Sequence, residues 1–203
     1  MKIIAIGRNY AAHAKELNNP VPGKPVIFLK PDTALLKDNK PFYIPEFSSN
    51  IHFELEVVIK VAKEGKHIAE KFASKYYEEV GLGIDFTARD IQAEHKEKGL
   101  PWELAKAFDN SAAVSNFLPK DDFNDLKNVD FELKINDQIR QQGNTSLMLF
   151  SYDYIISFVS QYITLKKGDL IFTGTPEGVG QVHPGDKLVG SIAGRELLNF
   201  DIK

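Results

Sequence analysis

The sequence predicts an α+β fold that is mostly β. The clearest observation is the segment 51–61, in which apolar and polar residues alternate as in a strand with one face in a core. Short apolar runs bounded by turn residues predict further strands, whereas only a few segments have helical periodicity. The length of 203 residues allows a sizeable core, and we expect one domain over residues 1–203.

Local patterns predict the elements of the N-terminal half. Apolar runs at 2–6 and 26–29 indicate buried strands, and we expect the second to be buried on both faces. Asn9 is placed to cap a helix over 10–17. The other elements predicted in this half are a helix over 69–79, a buried strand over 80–86, and a helix over 88–98 that starts with a capping-box-like Thr87–Asp90 segment and stops at Gly99.

The C-terminal half has equally clear patterns. Alternating residues on both sides of a polar turn predict a β-hairpin over 131–140, and an apolar helical pattern covers 152–162. The last strands, 188–192 and 197–202, are expected to close the sheet. A strand starting at Leu170 leads into a rigid glycine-rich loop, where backbone N–H groups near Gly174 and the hydroxyl of Thr175 are suited to hold a small anion.

Composition excludes several classes of protein. Hydrophobic residues make up 43% of the chain and charged residues 26%, as in ordinary globular proteins. The net charge of −3 provides no basic surface for nucleic acid, and the lack of cysteine excludes disulfides and thiolate chemistry. The apolar run 2–6 is too short for a signal peptide or a membrane span. We therefore expect an untargeted, cytoplasmic protein that binds neither membranes nor nucleic acid.

Three carboxylates form the first candidate site. Glu54 and Glu56 share the face of the 51–61 strand opposite its apolar residues, roughly 6–7 Å apart along the strand. Asp85 ends the 80–86 run, where a buried strand gives way to a helix. A solvated strand face is the common explanation for such acidic residues. The other explanation is a site for a hard divalent cation such as Mg²⁺ or Mn²⁺, which prefers oxygen ligands.

His13 and Glu16 form a candidate catalytic pair. Their i, i+3 spacing allows the two side chains to meet on one face of the predicted helix. They are either an exposed ion pair or a carboxylate-oriented histidine that acts as a base on water. The helix is short and lies beside the proline-rich segment 20–25, so it could move as a lid.

Several polar groups could bind an anionic substrate. Lys30 ends the 26–29 run, either as a solvated strand end or as a cation at the mouth of a site. Arg89 and Gln92 lie on the first turn of the 88–98 helix, as surface donors or as a carboxylate cradle. Lys106 lies near the only tryptophan, where it either extends to solvent or binds a carboxylate and stabilises an enolate.

Six motifs in chain order resemble the fumarylacetoacetate hydrolase superfamily, and most closely its short acylpyruvate hydrolase branch. The motifs are Gly7-Arg8-Asn9-Tyr10-x-x-His13-x-x-Glu16, His52-x-Glu54-x-Glu56, Asp85-x-Thr87-Ala88-Arg89-Asp90-x-Gln92, Lys98-Gly99-Leu100-Pro101-Trp102, Ala105-Lys106 and Gly174-Thr175-Pro176-x-Gly178-Val179. Each is weak alone, but all six in order are specific. The resemblance extends from about residue 3 to the C-terminus.

The resemblance implies a fold, a site and an activity. The fold is a mixed β-sandwich or roll around the site, in a homodimer. The metal, Mg²⁺ or Mn²⁺, is implied on Glu54, Glu56 and Asp85, with His13 and Glu16 as a lid dyad. The positions implied to contact substrate are Lys30, Arg89, Gln92, Lys106 and Thr175.

The implied activity is cleavage of a carbon–carbon bond in acylpyruvate-type 2,4-dioxo acids, which yields pyruvate and a carboxylic acid. In this reaction His13, held by Glu16, would take a proton from water, and Lys106 would help to hold the enolate charge. Oxaloacetate decarboxylation and enol–keto tautomerisation need the same enolate stabilisation and are the enzymatic alternatives. A non-catalytic binding protein with a structural cation is a distant alternative.

Overall fold

A computed structural model describes residues 1–203, and it confirms an α+β fold that is mostly β. The strands are β1 Ile3–Gly7, β2 Val26–Lys30, β3 Leu35–Leu36, β4 Ile51–Phe53, β5 Leu55–Val61, β6 Tyr77–Asp85, β7 Thr87–Ala88, β8 Ala112–Val114, β9 Leu118–Pro119, β10 Asp130–Ile135, β11 Gln138–Asn144, β12 Leu170–Phe172, β13 Gly180–Gln181, β14 Lys187–Ile192 and β15 Arg195–Asp201. The α-helices are α1 Ala11–Glu16, α2 Arg89–Lys98, α3 Glu103–Lys106 and α4 Tyr152–Tyr162. Short 3₁₀ turns cover Asp32–Ala34, Glu70–Lys75, Lys120–Asp122 and Thr145–Leu147.

The strands form three sheets. The largest has the order β2-β1-β12-β5-β6-β8-β3, with β9 paired to β6. A four-stranded sheet, β11-β10-β14-β15, packs its apolar face over β5 and β6, and a small sheet joins β13, β4 and β7. Leu55, Leu133 and Leu198 all lie in this shared core, which buries the face between the two larger sheets. None of the four helices has the length and apolarity needed to cross a lipid bilayer.

The alternating segment 51–61 behaves as predicted on its apolar face. Ile51, Phe53, Leu55 and Val57 are all buried. The segment is not one continuous strand, because the chain leaves the small sheet after β4 and enters the large sheet at β5. Glu54 occupies the break, so its side chain lies where two sheets meet.

Two predicted elements of the N-terminal half are wrong. The helix over 69–79 is instead a 3₁₀ turn followed by β6, which starts at Tyr77 and pairs along almost all of β5. Sheet pairing with β5 outweighs the weak helical pattern there. The run 26–29 is not buried on both faces, because β2 is the edge strand of its sheet and only Lys30 in it is buried.

Helix ends also differ from the predictions. Asn9 does not cap α1. Its side-chain amide instead donates to the carbonyls of Phe150 and Thr173, and so it fixes the turn after β1. The predicted capping box before α2 is absent, although Gly99 ends that helix in the left-handed conformation at φ 65° as predicted.

The C-terminal predictions are largely correct. The hairpin is formed by β10 and β11, with Asn136 and Asp137 in the left-handed region at its turn. Helix α4 covers the predicted residues and is capped by Ser151. The last two strands, β14 and β15, extend the hairpin's own sheet and do not close the large one.

Candidate active site

Three buried carboxylates meet at the ends of β5 and β6. Glu56 lies on β5 opposite Gly83, and Asp85 ends β6, with its backbone N–H bonded to the carbonyl of Glu54. Glu54, Glu56 and Asp85 each present one oxygen within 4.8 Å of the others, and their exposures are 5%, 2% and 0%. This burial rules out the solvated strand face that was the alternative. We call these three residues the carboxylate triad.

Two buried lysines neutralise part of the triad. Lys106 Nζ donates to Glu54 Oε2 at 2.8 Å, to Asp85 Oδ2 at 2.7 Å and to Thr87 Oγ1 at 2.6 Å. Lys30 Nζ lies 2.6 Å from Asp85 Oδ1 and donates to the Ser111 carbonyl. Burial alone would lower the pKa of Lys106, but Asp85 and Glu54 outweigh burial and raise it. Both lysine side chains are buried, so neither is a solvated surface group.

The glutamates of the triad have opposite electrostatic environments. Burial would raise the pKa of Glu54, but Lys106 and Arg89 hold it well below its usual range. For Glu56, burial, Asp85 and Glu54 together raise the pKa well above its usual range, and the Gly174 N–H at 2.6 Å offsets this only in part. Glu56 forms no ion pair with any basic side chain. An all-oxygen set that the lysines leave incompletely neutralised fits a hard divalent cation.

The predicted dyad lies against the triad. His13 is buried, and its Nδ1 is 3.3 Å from Glu16 Oε2. The other carboxylate oxygen of Glu16 accepts from the N–H of Gly178, so the glycine-rich loop holds α1 across the cavity. Burial lowers the pKa of His13, although Glu54 and Glu16 oppose this effect. The lowered pKa favours the neutral ring near pH 7, and the tautomer that donates from Nδ1 to Glu16 would leave Nε2 as a proton acceptor.

The remaining predicted contacts surround the same place. Arg89 Nη2 donates to Glu54 Oε1 at 2.5 Å, and Nη1 donates to Gln92 Oε1 at 2.6 Å. Thr175 is buried and lines the cavity, whereas the amide of Gly174 is bonded to Glu56 and is not open to an anion. The predicted residues that line this one cavity are His13, Glu54, Glu56, Asp85, Arg89, Gln92, Lys106 and Thr175.

Some residues of the site were not assigned from the sequence. Gln141 on β11 accepts from the Leu55 N–H at 2.8 Å and donates to Thr175 Oγ1 at 2.9 Å, so it joins β5 to the glycine-rich loop. No local pattern predicts this bridge. Arg8 and Lys96 also line the cavity. Arg8 lies within one of the quoted motifs, but no binding role was assigned to it from the sequence.

The family model that describes the C-terminal region of fumarylacetoacetate (FAA) hydrolase matches residues 2–200. The chain is 44% identical over 201 residues to a protein of Bos taurus named oxaloacetate tautomerase FAHD1, mitochondrial. That alignment covers 99% of this chain and 91% of the relative. It is 45% identical over 203 residues to oxaloacetate decarboxylase, mitochondrial, from Dictyostelium discoideum, which covers 99% of this chain and 93% of the relative.

A solved structure with the same fold is fumarylpyruvate hydrolase from Pseudomonas aeruginosa in complex with Mn²⁺ and pyruvate. It superposes with a TM-score of 0.94 at 33% identity, over 100% of this chain and 89% of that one.

Proposed function

Since this chain belongs to the fumarylacetoacetate hydrolase family, we propose that it interconverts the enol and keto forms of oxaloacetate in a reaction that depends on a divalent metal. The observation that carries the proposal is His13, a buried neutral base held by Glu16 beside the carboxylate triad. Tautomerisation requires a proton transfer at carbon and stabilisation of the enolate, and it needs no attacking water. This proposal replaces acylpyruvate hydrolysis, our first expectation from the sequence.

The triad would hold Mg²⁺ or Mn²⁺. When bound, such an ion supplies Lewis-acid polarisation of the 2-oxo group and so favours the enolate. Arg89 and Gln92 are placed to orient the adjacent carboxylate, and Arg89 keeps a buried Nε–H that has no partner in the protein. Thr175, which is buried on the glycine-rich loop, offers its hydroxyl to the same substrate carboxylate.

Proton transfer is assigned to the dyad. His13 Nε2 takes a proton from carbon 3 of the keto form, and Glu16 stabilises the imidazolium through its contact with Nδ1. The ammonium of Lys106 stabilises the negative charge that develops on the enolate oxygen. Delivery of the proton to that oxygen yields the enol, and the reverse sequence yields the keto acid.

Decarboxylation of oxaloacetate is the second candidate. A relative with 45% identity is named for that reaction, which passes through the same enolate after loss of carbon dioxide. Lys106, Arg89 and Gln92 would serve it in the same way, whereas His13 would be needed only to protonate the product. Hydrolysis would instead require His13 to activate water.

The test measures three activities of one preparation with added Mg²⁺. Loss of enol-oxaloacetate is followed by its ultraviolet absorbance, pyruvate by a coupled dehydrogenase, and cleavage of acetylpyruvate by its own absorbance. We expect enol loss to be the fastest, to fall about 10²–10⁴-fold in His13→Ala, and to be unchanged in His183→Gln, a control at an exposed histidine. An enol loss no faster than in buffer, with rapid formation of pyruvate from either substrate, would reject the proposal.

The homodimer, the single domain and the location of the protein remain proposals. The relatives are named as mitochondrial, which does not fit an exclusively cytoplasmic protein. Light scattering of the purified protein tests the dimer.

A further inference from the structure

The geometry points to a second subsite at the mouth of the cavity, where Arg8 and Lys96 bind the distal carboxylate of a dicarboxylic 2-oxo acid. This inference rests on the proposed function in one respect, namely that the inner site holds the 2-oxo acid end of the substrate. It adds which residues select a dicarboxylic substrate over a monocarboxylic one. Neither residue was assigned a binding role from the sequence.

The charges around the cavity motivate the subsite. Lys30, Lys106 and Arg89 equal the triad carboxylates in number; Lys30 contacts Asp85, Arg89 contacts Glu54, Lys106 contacts both, and none of them contacts Glu56. Arg8 and Lys96 line the same cavity, yet neither forms an ion pair with any carboxylate of the protein. The mouth therefore carries two positive charges that the protein does not neutralise.

Lys96 is directed to the cavity by helix α2. Arg89, Gln92 and Lys96 are spaced i, i+3 and i+7, which puts them on one face of the helix. The Lys96 ammonium lies 5.8 Å from the centroid of the Trp102 ring, which also lines the cavity. Burial, followed by the positive charges of Arg8 and Arg89, lowers the pKa of Lys96, so these cations are close enough to repel one another. A bound carboxylate would relieve that repulsion.

Arg8 is held in an unfavourable backbone conformation. Its φ is 61°, in the left-handed region that residues other than glycine adopt at a cost of about 1–3 kcal/mol. The next residue, Asn9, is buried and bonded to Phe150 and Thr173, and these bonds hold the turn in place. The turn thereby keeps Arg8 on the cavity wall beside the inner site. Strain of this kind is common where a side chain must be positioned for a ligand.

The ligand that fits both ends is a short dicarboxylic 2-oxo acid. Its first carboxylate and 2-oxo group occupy the inner site, and its second carboxylate reaches the two unpaired cations. A guanidinium can bind that carboxylate through two parallel N–H groups, which gives orientation as well as affinity. An acid with an apolar tail in the same place would leave both cations unpaired and partly desolvated.

The first experiment measures binding without turnover. Calorimetry in the presence of Mg²⁺ compares malate with 2-hydroxybutanoate, which has a methyl group where malate has its distal carboxylate. We expect the parent protein to bind malate at least tenfold more tightly, and Arg8→Gln and Lys96→Gln each to reduce that ratio about tenfold. The matched control is Lys98→Gln, on the same helix but paired with Glu94 at the surface, which should leave the ratio unchanged. Equal affinity of the parent for the two acids would overturn the subsite.

The second experiment separates the subsite from the proposed activity. Oxalate, which is too short to reach the mouth, should bind the parent and both variants equally, while the KM for enol-oxaloacetate rises about tenfold or more in each variant. An unchanged KM in both variants would overturn the subsite and leave the tautomerase proposal intact. A parent that prefers malate but has no tautomerase activity would retain the subsite and refute the activity. If Arg8→Gln fails to fold in a melting experiment, Lys96→Gln alone decides.

Discussion

Two glutamates on one stretch of chain should respond oppositely to the same substitution. Glu54 and Glu56 are both buried members of the carboxylate triad, and they are two residues apart. Glu54 contacts Arg89 and Lys106, whereas Glu56 has no basic partner and is bonded to the Gly174 amide. In the absence of divalent metal at pH 7, Glu56→Gln should stabilise the fold, and Glu54→Gln should destabilise it.

The magnitudes follow from the charges. Two like charges within 4.8 Å of each other repel by at least about 3.5 kcal/mol at an effective dielectric of 20. After the offset from Lys106 and Gly174, we expect Glu56→Gln to gain about 1–3 kcal/mol, because the glutamine oxygen can still accept from Gly174. Breaking a buried ion pair costs about 3–5 kcal/mol, so Glu54→Gln should lose roughly 3 kcal/mol. For a chain of this size these values correspond to a rise in Tm of about 2–12 °C and a fall of about 6–12 °C.

The pH dependence adds a second check. The folded-state pKa of Glu56 is raised, so its cost to the parent is absent below the ordinary value of 4.5 and grows as pH rises towards the raised pKa. The pKa of Glu54 is lowered, so its contribution is present above 4.5 and is lost as pH falls through its folded-state pKa. The gain of Glu56→Gln over the parent should therefore widen from pH 4.5 to pH 7, whereas the loss of Glu54→Gln should stay nearly constant over that range and shrink below pH 4.5.

The assay is thermal melting by circular dichroism in chelator, repeated with Mg²⁺. In Mg²⁺ the order should reverse for Glu56→Gln, because the parent gains about 2.7 kcal/mol at a hundredfold excess over Kd and the variant loses a ligand. A lower Tm of Glu56→Gln in chelator, together with an undiminished Mg²⁺ response, would refute both the electrostatic reasoning and the metal site.

Three further predictions concern activity and folding. Excess chelator should abolish turnover and lower the Tm of the parent, and full activity of a metal-free preparation would contradict the cation site formed by the triad. Because burial lowers the pKa of His13, turnover should be constant near pH 7 and fall as pH decreases through a value below 6.5. The variant His13→Ala should lose this pH dependence of turnover. The variant Glu16→Gln should lose only about tenfold in rate. An acid limb that persists in His13→Ala would assign the titration to another group. Gly174→Ala should lower Tm by at least 4 °C, because the φ of Gly174 is 102° and a Cβ there would lie 2.6 Å from the Cβ of Asn9. Gly99→Ala should lower Tm less, because Gly99 has a φ of 65° but open space around it. Equal losses of Tm in the two variants would argue against the close approach to Asn9.

Local patterns were sufficient for much of the fold and for one side-chain contact in the candidate site. Period-2 alternation predicted the buried face of the 51–61 segment, and i, i+3 spacing predicted the contact between His13 and Glu16. These predictions succeeded because each depends only on the geometry of one strand or one helix. The start of β6 was missed because Tyr77 is drawn into a strand by pairing with β5, which local propensity does not report.

The sequence by itself determined which groups were available. They are three carboxylates that offer oxygen ligands and a histidine three residues before a glutamate on a helix, and the chain has no thiol. It also determined the family, because six short motifs stand in one order. Only the tertiary structure decided how these groups are charged and paired. The contact between Glu56 and Gly174 spans 118 residues, and the bridge from Gln141 to Leu55 spans 86. The opposite environments of Glu54 and Glu56, and the two unpaired cations at the cavity mouth, depend on such distant contacts, because burial and charge are properties of the packed chain and not of any local segment.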